Sequence, residues 1–375
     1  MLTQRGKAIK IAVIGYGDSG KSYFLASLCS LKDIPVKHGF AVYEKDFVKN
    51  PVVTKDYNII NRTADSTTDG VVFKTIRHRD IDFYFQQGGQ KIAEIRITDA
   101  EGQALEIDRK VEEGEALFNR MHQYDGVILV VKAPDPDEDS KNRVEFQKKN
   151  SELQRLLLFI NDLKNTNINT PVALVFTQID RLGKLQGVKD AIEDQCEEEQ
   201  EMDRKKYPHL SEDDRESKNK DIRKDVINSL ILPIMMKETA IDKLIETFKS
   251  QISIPKTGRK KVDNLKLTNV FVTTALGFDN SMPNPLDTNG KVDERTQVSV
   301  DGVKPYGVQA AFLWMIYKII ELKREDAGLF SAHYKLFDLN DLQDSIAELY
   351  KIGSTFSGEN FDDVKHHEFW NYNVL

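Results

Sequence analysis

Lys21 and Ser22 close the run Gly15-Tyr16-Gly17-Asp18-Ser19-Gly20-Lys21-Ser22, a complete G-x-x-x-x-G-K-[ST] pattern whose chemistry is the holding of a phosphate chain. Glycines at 15 and 20 let the backbone turn tightly, so that successive N–H groups point at α- and β-phosphates. Lys21 then reaches the β- and γ-phosphates, and the Ser22 hydroxyl is placed to coordinate Mg²⁺. The context fits the motif. An apolar strand, Lys10 to Ile14, precedes the turn, and an apolar helix from Ser22 to about Leu31 follows it and offers its positive end to the same anion. Gly15, Asp18, Ser19, Gly20, Lys21, Ser22 and Tyr23 form the expected phosphate-binding set.

A phosphate loop alone does not separate ATPases, nucleotide kinases and GTPases, so the later segments must discriminate. The strand-like run Ile92 to Thr98 ends in Asp99-Ala100-Glu101-Gly102-Gln103, a D-x-x-G-Q element. Its carboxylate can hold Mg²⁺ through water, the Gly102 N–H can meet the γ-phosphate, and Gln103 is placed to orient an attacking water. Pro171 to Phe176 reads as a fully buried strand ending in Thr177-Gln178-Ile179-Asp180. A carboxylate at 180 can accept both N–H donors of guanine's Watson–Crick edge, which adenine does not offer. A further apolar strand, Asn269 to Val272, leads into Thr273-Thr274-Ala275-Leu276-Gly277, where a backbone N–H could meet the guanine oxygen.

Motif by motif, the chain resembles the Ras-like GTPases of the wider P-loop GTPase class. Gly15 to Ser22 is similar to the first GTPase motif, and Asp99 to Gln103 to the switch II motif of Ras, Arf and heterotrimeric α subunits. Thr177 to Asp180 resembles the T-[KQ]-x-D base-reading motif of Rho-type proteins, with Thr177 and Gln178 in place of the usual Asn-Lys pair. Thr274, Ala275 and Leu276 stand where the S-A-[KL] motif would. The resemblance implies GTP or GDP with Mg²⁺ as the ligand, Ser22, Thr68 and Asp99 as the metal set, and Gln103, Lys21 and Thr68 as the catalytic set.

The switch I threonine has to lie between the phosphate loop and Asp99. Ser66-Thr67-Thr68-Asp69-Gly70 is the best match, Thr68 having the T-x-G spacing of Arf and α subunits, with Thr67 beside it as the other candidate. The same stretch also reads as a polar turn before the strand Val71 to Phe73. Arg62 resembles the in-chain arginine finger of α subunits at looser spacing, and reads equally as a solvated arginine.

Strands alternating with helical patterns predict an α/β fold, a mainly parallel sheet with helices on both faces and the motifs at the carboxyl ends of its strands. The alternation from Ile81 to Gln86 before Gly88-Gly89 predicts a hairpin into the Asp99 strand. Since the motifs extend from 15 to 277 of 375 residues, one GTPase domain is expected over 1–330. It carries a helical insertion at about 182–266 and a loop insertion at about 278–304, and a helical, aromatic tail follows at 331–375. The insertion starts highly charged and then shows an apolar stripe at Ile241, Leu244, Ile245, Phe248 and Ile252. The helix Val308 to Lys323 is apolar on most of its surface and should be heavily buried. His366-His367 near the end lacks the spacing of a metal site on regular structure.

With 40% hydrophobic residues the core is ample, and a net charge of −7 argues against a general grip on nucleic acid or anionic membranes. Cys29 and Cys196 are the only cysteines, without ligand spacing, which fits a reducing compartment. No apolar run reaches about 18 residues. A cytoplasmic protein without a membrane span is expected, with a protein effector or regulator as partner and a homo-oligomer compatible with the sequence. The layout of large inserts and a Pro-Tyr-Gly-led last helix resembles divergent prokaryotic GTPases encoded beside partner proteins in conflict or secretion-type gene clusters.

Overall fold

A computed structural model describes residues 8–16, 19–28, 40–45, 79–87, 90–99, 123–133, 170–179, 186–216, 218–219, 222, 226, 268–275, 305, 307–325 and 339–351. Seven strands form one sheet: β1 (Ile9–Ile14), β2 (Phe40–Glu44), β3 (Arg79–Gln87), β4 (Gln90–Asp99), β5 (Gly126–Lys132), β6 (Val172–Thr177) and β7 (Thr268–Val272). The helices are α1 (Lys21–Leu28), α2 (Gln186–Lys206), α3 (Val308–Glu325) and α4 (Leu339–Lys351).

The strand order is β2-β3-β4-β1-β5-β6-β7. From β4 to β7 every neighbouring pair is parallel, while β2, β3 and β4 form an antiparallel wing. Composition explains the division. In β1, β5, β6 and β7 nearly every residue is apolar and buried, as a sheet covered on both faces requires. The wing alternates instead: Ile81, Phe83 and Phe85 of β3 and Ile95 and Ile97 of β4 face the core, whereas Asp82, Tyr84, Glu94 and Arg96 are only half-buried. On that polar face Arg96 forks onto Asp82 through bonds of 2.6 and 2.9 Å. The guanidinium holds the Asp82 carboxyl below its ordinary range.

One core face collects Ile11, Val13, Ile128, Val130, Val175 and Phe271 with α1, α3 and α4. The alternate residues Ala12, Ile14, Leu129, Leu174 and Phe176 are buried as well. The α3 helix supplies an almost unbroken buried surface from Val308 to Ile316, as its composition predicts. The chain enters it through Gly307 in the left-handed region (φ 72°), where a Cβ would lie 2.3 Å from the Val272 carbonyl oxygen. At its far end Lys323 Nζ donates to Asp125 Oδ1 at 2.7 Å, and the other carboxylate oxygen accepts the Lys10 N–H at 2.8 Å. Thus the last turn of α3 is tied to the starts of β1 and β5. α4 is amphipathic, and its Leu342 and Ile346 join the same core. Asp341 accepts a 2.6 Å bond from the Gln87 amide at the end of β3.

The expected hairpin is present as β3 and β4, and the sheet is mainly parallel, as the alternation of strands and helical patterns predicts. β2 is a strand beyond those expected. Its Phe40 stacks on Phe85, with ring centroids 5.3 Å apart, which packs this edge strand onto the wing. In the insertion, α2 is a long helix with most of its acidic side chains exposed and Arg204, Lys205 and Lys206 in its last turn, where cations oppose the helix dipole. Among the described residues no helix is long and apolar enough to cross a membrane.

Candidate functional site

Three strand ends converge at the carboxyl edge of the sheet. β1 runs out at Ile14 and the chain turns through Gly15 and Tyr16 toward Ser19 and Gly20, after which α1 starts at Lys21. Gly20 has φ 81°, a conformation that glycine adopts without steric cost and that aims the chain into the helix. Lys21 folds back over this loop, and its Nζ donates to the carbonyls of Gly15 at 2.6 Å and Tyr16 at 3.0 Å. Only 6% of its surface is exposed. Such carbonyl contacts offset the cost of burying an ammonium, and here they fix it at the mouth of the loop.

Beside β1, β4 places Asp99 opposite Val13 in the parallel register, at the last residue of the strand and next to the start of the loop. Asp99 is fully buried and Ser22, in the first turn of α1, nearly so. A hydroxyl and a carboxylate are hard oxygen donors, the donor set that suits Mg²⁺. The residues present fit that ion.

β6 delivers the second half of the site. Thr177, its last residue, donates from Oγ1 to the Ser19 carbonyl at 2.6 Å, with the Val131 carbonyl at 3.4 Å. One hydroxyl thereby joins the end of β6 to the loop between β1 and α1. Gln178 follows with φ 62°, a conformation uncommon for a residue with a side chain, and a Cβ added to Gly20 would lie 3.6 Å from its Nε2. The Gln178 amide therefore lies against the loop.

Next along the sheet, Thr273 continues the stitching. Its N–H donates to the Phe176 carbonyl at 2.7 Å and its hydroxyl to the same oxygen at 3.2 Å, while its own carbonyl accepts from the Ile179 N–H at 3.4 Å. This holds the segment leading to Asp180 beside the one carrying Thr274 and Ala275, both at the end of β7. Sequence reasoning singled out Thr274 and passed over Thr273. The doublet Thr273-Thr274 after a buried strand was the available signal.

Gly15, Ser19, Gly20, Lys21, Ser22, Tyr23, Asp99, Thr177, Gln178, Thr274 and Ala275 therefore all occupy the carboxyl edge of the sheet. Asp18, Thr68, Gly102, Gln103, Asp180 and Leu276 lie outside the described residues, as do Arg62, Thr67, Cys29 and the His366-His367 pair.

No family model matches this chain, and no curated protein matches it. Solved structures similar to parts of it include the signal recognition particle receptor SRb-GTP/SRX complex from Chaetomium thermophilum, 14% identical over 46% of this chain and 71% of that one, with a TM-score of 0.29. Another is the G domain of the T. maritima FeoB iron transporter, 15% identical over 48% of this chain and 78% of that one, with a TM-score of 0.24. Likenesses this distant add no weight to the strand order and loop geometry, which stand on their own.

Proposed function

We propose that this chain binds GTP with Mg²⁺, hydrolyses it slowly to GDP and phosphate, and works as a switch controlling a protein partner. The observation that carries the reading is the arrangement around Lys21: a buried ammonium at the head of α1, Asp99 closing the next strand, and Thr177 bonded across to Ser19. Phosphate loop, metal-side carboxylate and base-side strand meet at one edge, which is the layout a nucleoside triphosphate needs.

In this reading the loop N–H groups and Lys21 hold the β- and γ-phosphates, and Lys21 neutralises charge that builds on the bridging oxygen as the γ-phosphoryl leaves. Ser22 and Asp99 would hold Mg²⁺, with Thr68 completing the set, and the ion would supply further neutralisation of the phosphate charge. Gln103 orients the attacking water, and Asp180 with the Thr274 to Leu276 segment reads guanine. The charged α2 insertion is the part of the chain proposed to meet the partner.

Identification of the nucleotide that co-purifies, followed by turnover of purified protein with GTP and with ATP, tests the reading. GTP or GDP in the preparation and turnover specific to GTP support it. Equal turnover of ATP refutes the guanine assignment, and nucleotide binding without turnover makes the protein a nucleotide-dependent scaffold.

A further inference from the structure

Among the described residues two hydroxyl oxygens are shut off from solvent without a hydrogen-bond partner, Ser19 Oγ and Ser345 Oγ. Ser19 lies in the loop proposed to hold a phosphate chain, where a ligand can meet it. Ser345 lies on α4, which is tied to the end of the β3–β4 hairpin remote from Asp99. There the Gln87 amide donates to Asp341 of α4 at 2.6 Å, and Gln87 pairs with Gln90, the first residue of the strand that Asp99 ends. No part of the proposed nucleotide site explains the Ser345 hydroxyl.

Its position makes that hydroxyl costly. Leu339, Leu342, Ser345 and Ile346 fall on one face of α4, which packs against α3, and Leu342 and Ile346 enter the core that holds Phe85 and Phe312. Ser345 is fully buried. A buried helical serine can bond back to a carbonyl about one turn earlier, as Ser27 of α1 does to Phe24 at 2.9 Å. Ser345 Oγ makes no such bond. Docking α4 therefore takes a hydroxyl out of water and gives it nothing in return, a loss of about tenfold or more in the docking equilibrium. α3, by contrast, is fixed at both ends, by Gly307 against Val272 and by Lys323 on Asp125.

We propose that α4 is a displaceable cover: it leaves α3 as a unit while the sheet, α1 and α3 stay folded, and water then takes up the Ser345 hydroxyl. Undocked, α4 uncovers apolar surface of α3 beside the end of β3. Local opening draws on the elements whose contacts stabilise them least, and a stranded hydroxyl puts α4 among these. Removing the hydroxyl shifts the balance toward the docked state.

Amide hydrogen exchange of the full-length protein, read by mass spectrometry in the parent and in Ser345→Ala, tests this. In the parent, peptides across Leu339–Lys351 should exchange together and at least tenfold faster than the buried turns of α3. Ser345→Ala should slow α4 about tenfold while α3 keeps its rate. Exchange of α4 as slow as that of α3 in the parent overturns the proposal, because α4 would then open only with the whole molecule. Exchange graded inward from Lys351 also overturns it, since that is fraying. So does a slowing of about threefold or less in Ser345→Ala, which the better helix propensity of alanine supplies by itself.

Discussion

Lys21 Nζ lies 2.6 Å from the Gly15 carbonyl oxygen, so the residue that ends the phosphate loop is bonded to the residue that begins it. The ammonium braces the loop as well as being the cation proposed to meet the phosphates. Removing it should therefore cost binding twice over, through the lost cation and through a loop less firmly shaped.

Lys21→Ala should lose most triphosphate affinity, because it deletes the side-chain cation expected at the β/γ bridge. Titration with a non-hydrolysable GTP analogue checks this. Unchanged affinity would sink the assignment of the loop.

Gln103→Leu should slow hydrolysis and leave binding nearly intact, since the side chain is proposed to act on water rather than on ground-state nucleotide. Single-turnover rates for variant and parent decide the matter. Equal rates would favour a scaffold that does not use turnover.

Asp180→Asn should weaken guanine nucleotides and favour xanthine ones by comparison, because an amide also donates and no longer matches two N–H groups. Competition between GTP, XTP and ATP measures the change. If ATP competes with GTP equally well in the parent, the base-reading role of Asp180 is wrong whatever the variant does.

Gly307→Ala should destabilise the fold by ~2 kcal/mol or more, for the new Cβ combines a left-handed backbone with a backbone oxygen that has nowhere to go. That Cβ would sit 2.3 Å from the Val272 carbonyl oxygen. Thermal unfolding should show a clearly lowered Tm, and an unchanged one would mean that the entry to α3 is not fixed as described.

Replacing 182–266 by a short linker should spare GTP binding and impair partner recruitment. The exposed acidic face of α2 supports treating the segment as accessory. If the stripe from Ile241 to Ile252 covers core surface, the variant will instead unfold at lower temperature. A soluble, cooperatively folding variant that cannot bind GTP would refute the accessory reading.

Much of this was legible in the residues because β5 and β6 are almost wholly apolar, β4 alternates, and β4, β6 and β7 lead into polar motifs. Ile92 to Thr98, Gly126 to Val131 and Asn269 to Val272 each lie within the strand observed, and Val308 to Lys323 lies within α3. The boundaries moved by a residue or two where hydrogen bonding outlasts hydrophobicity, as at Asp99, a carboxylate that is the last residue of β4. β2 was not legible: Phe40–Glu44 is short, and it becomes a strand by pairing with β3, where Phe40 stacks on Phe85. Nor could spacing show that Thr177 bonds to Ser19, since that contact joins residues far apart in the chain. Periodicity reports which face is buried, not which distant carbonyl a hydroxyl will find.

The clamp of Lys323 on Asp125, with Lys10 on the other oxygen, bears on how the molecule is made. A ribosome delivers β1 and α1 well before α3, yet Phe24, Leu25 and Ile11 share one core with Phe312 and Ile316. During synthesis the face made by β1 and α1 stays without its cover until the residues of α3 have emerged, and contacts of such long sequence separation form slowly. A nascent chain stalled before α3 would thus display an apolar sheet to chaperones rather than a smaller finished domain.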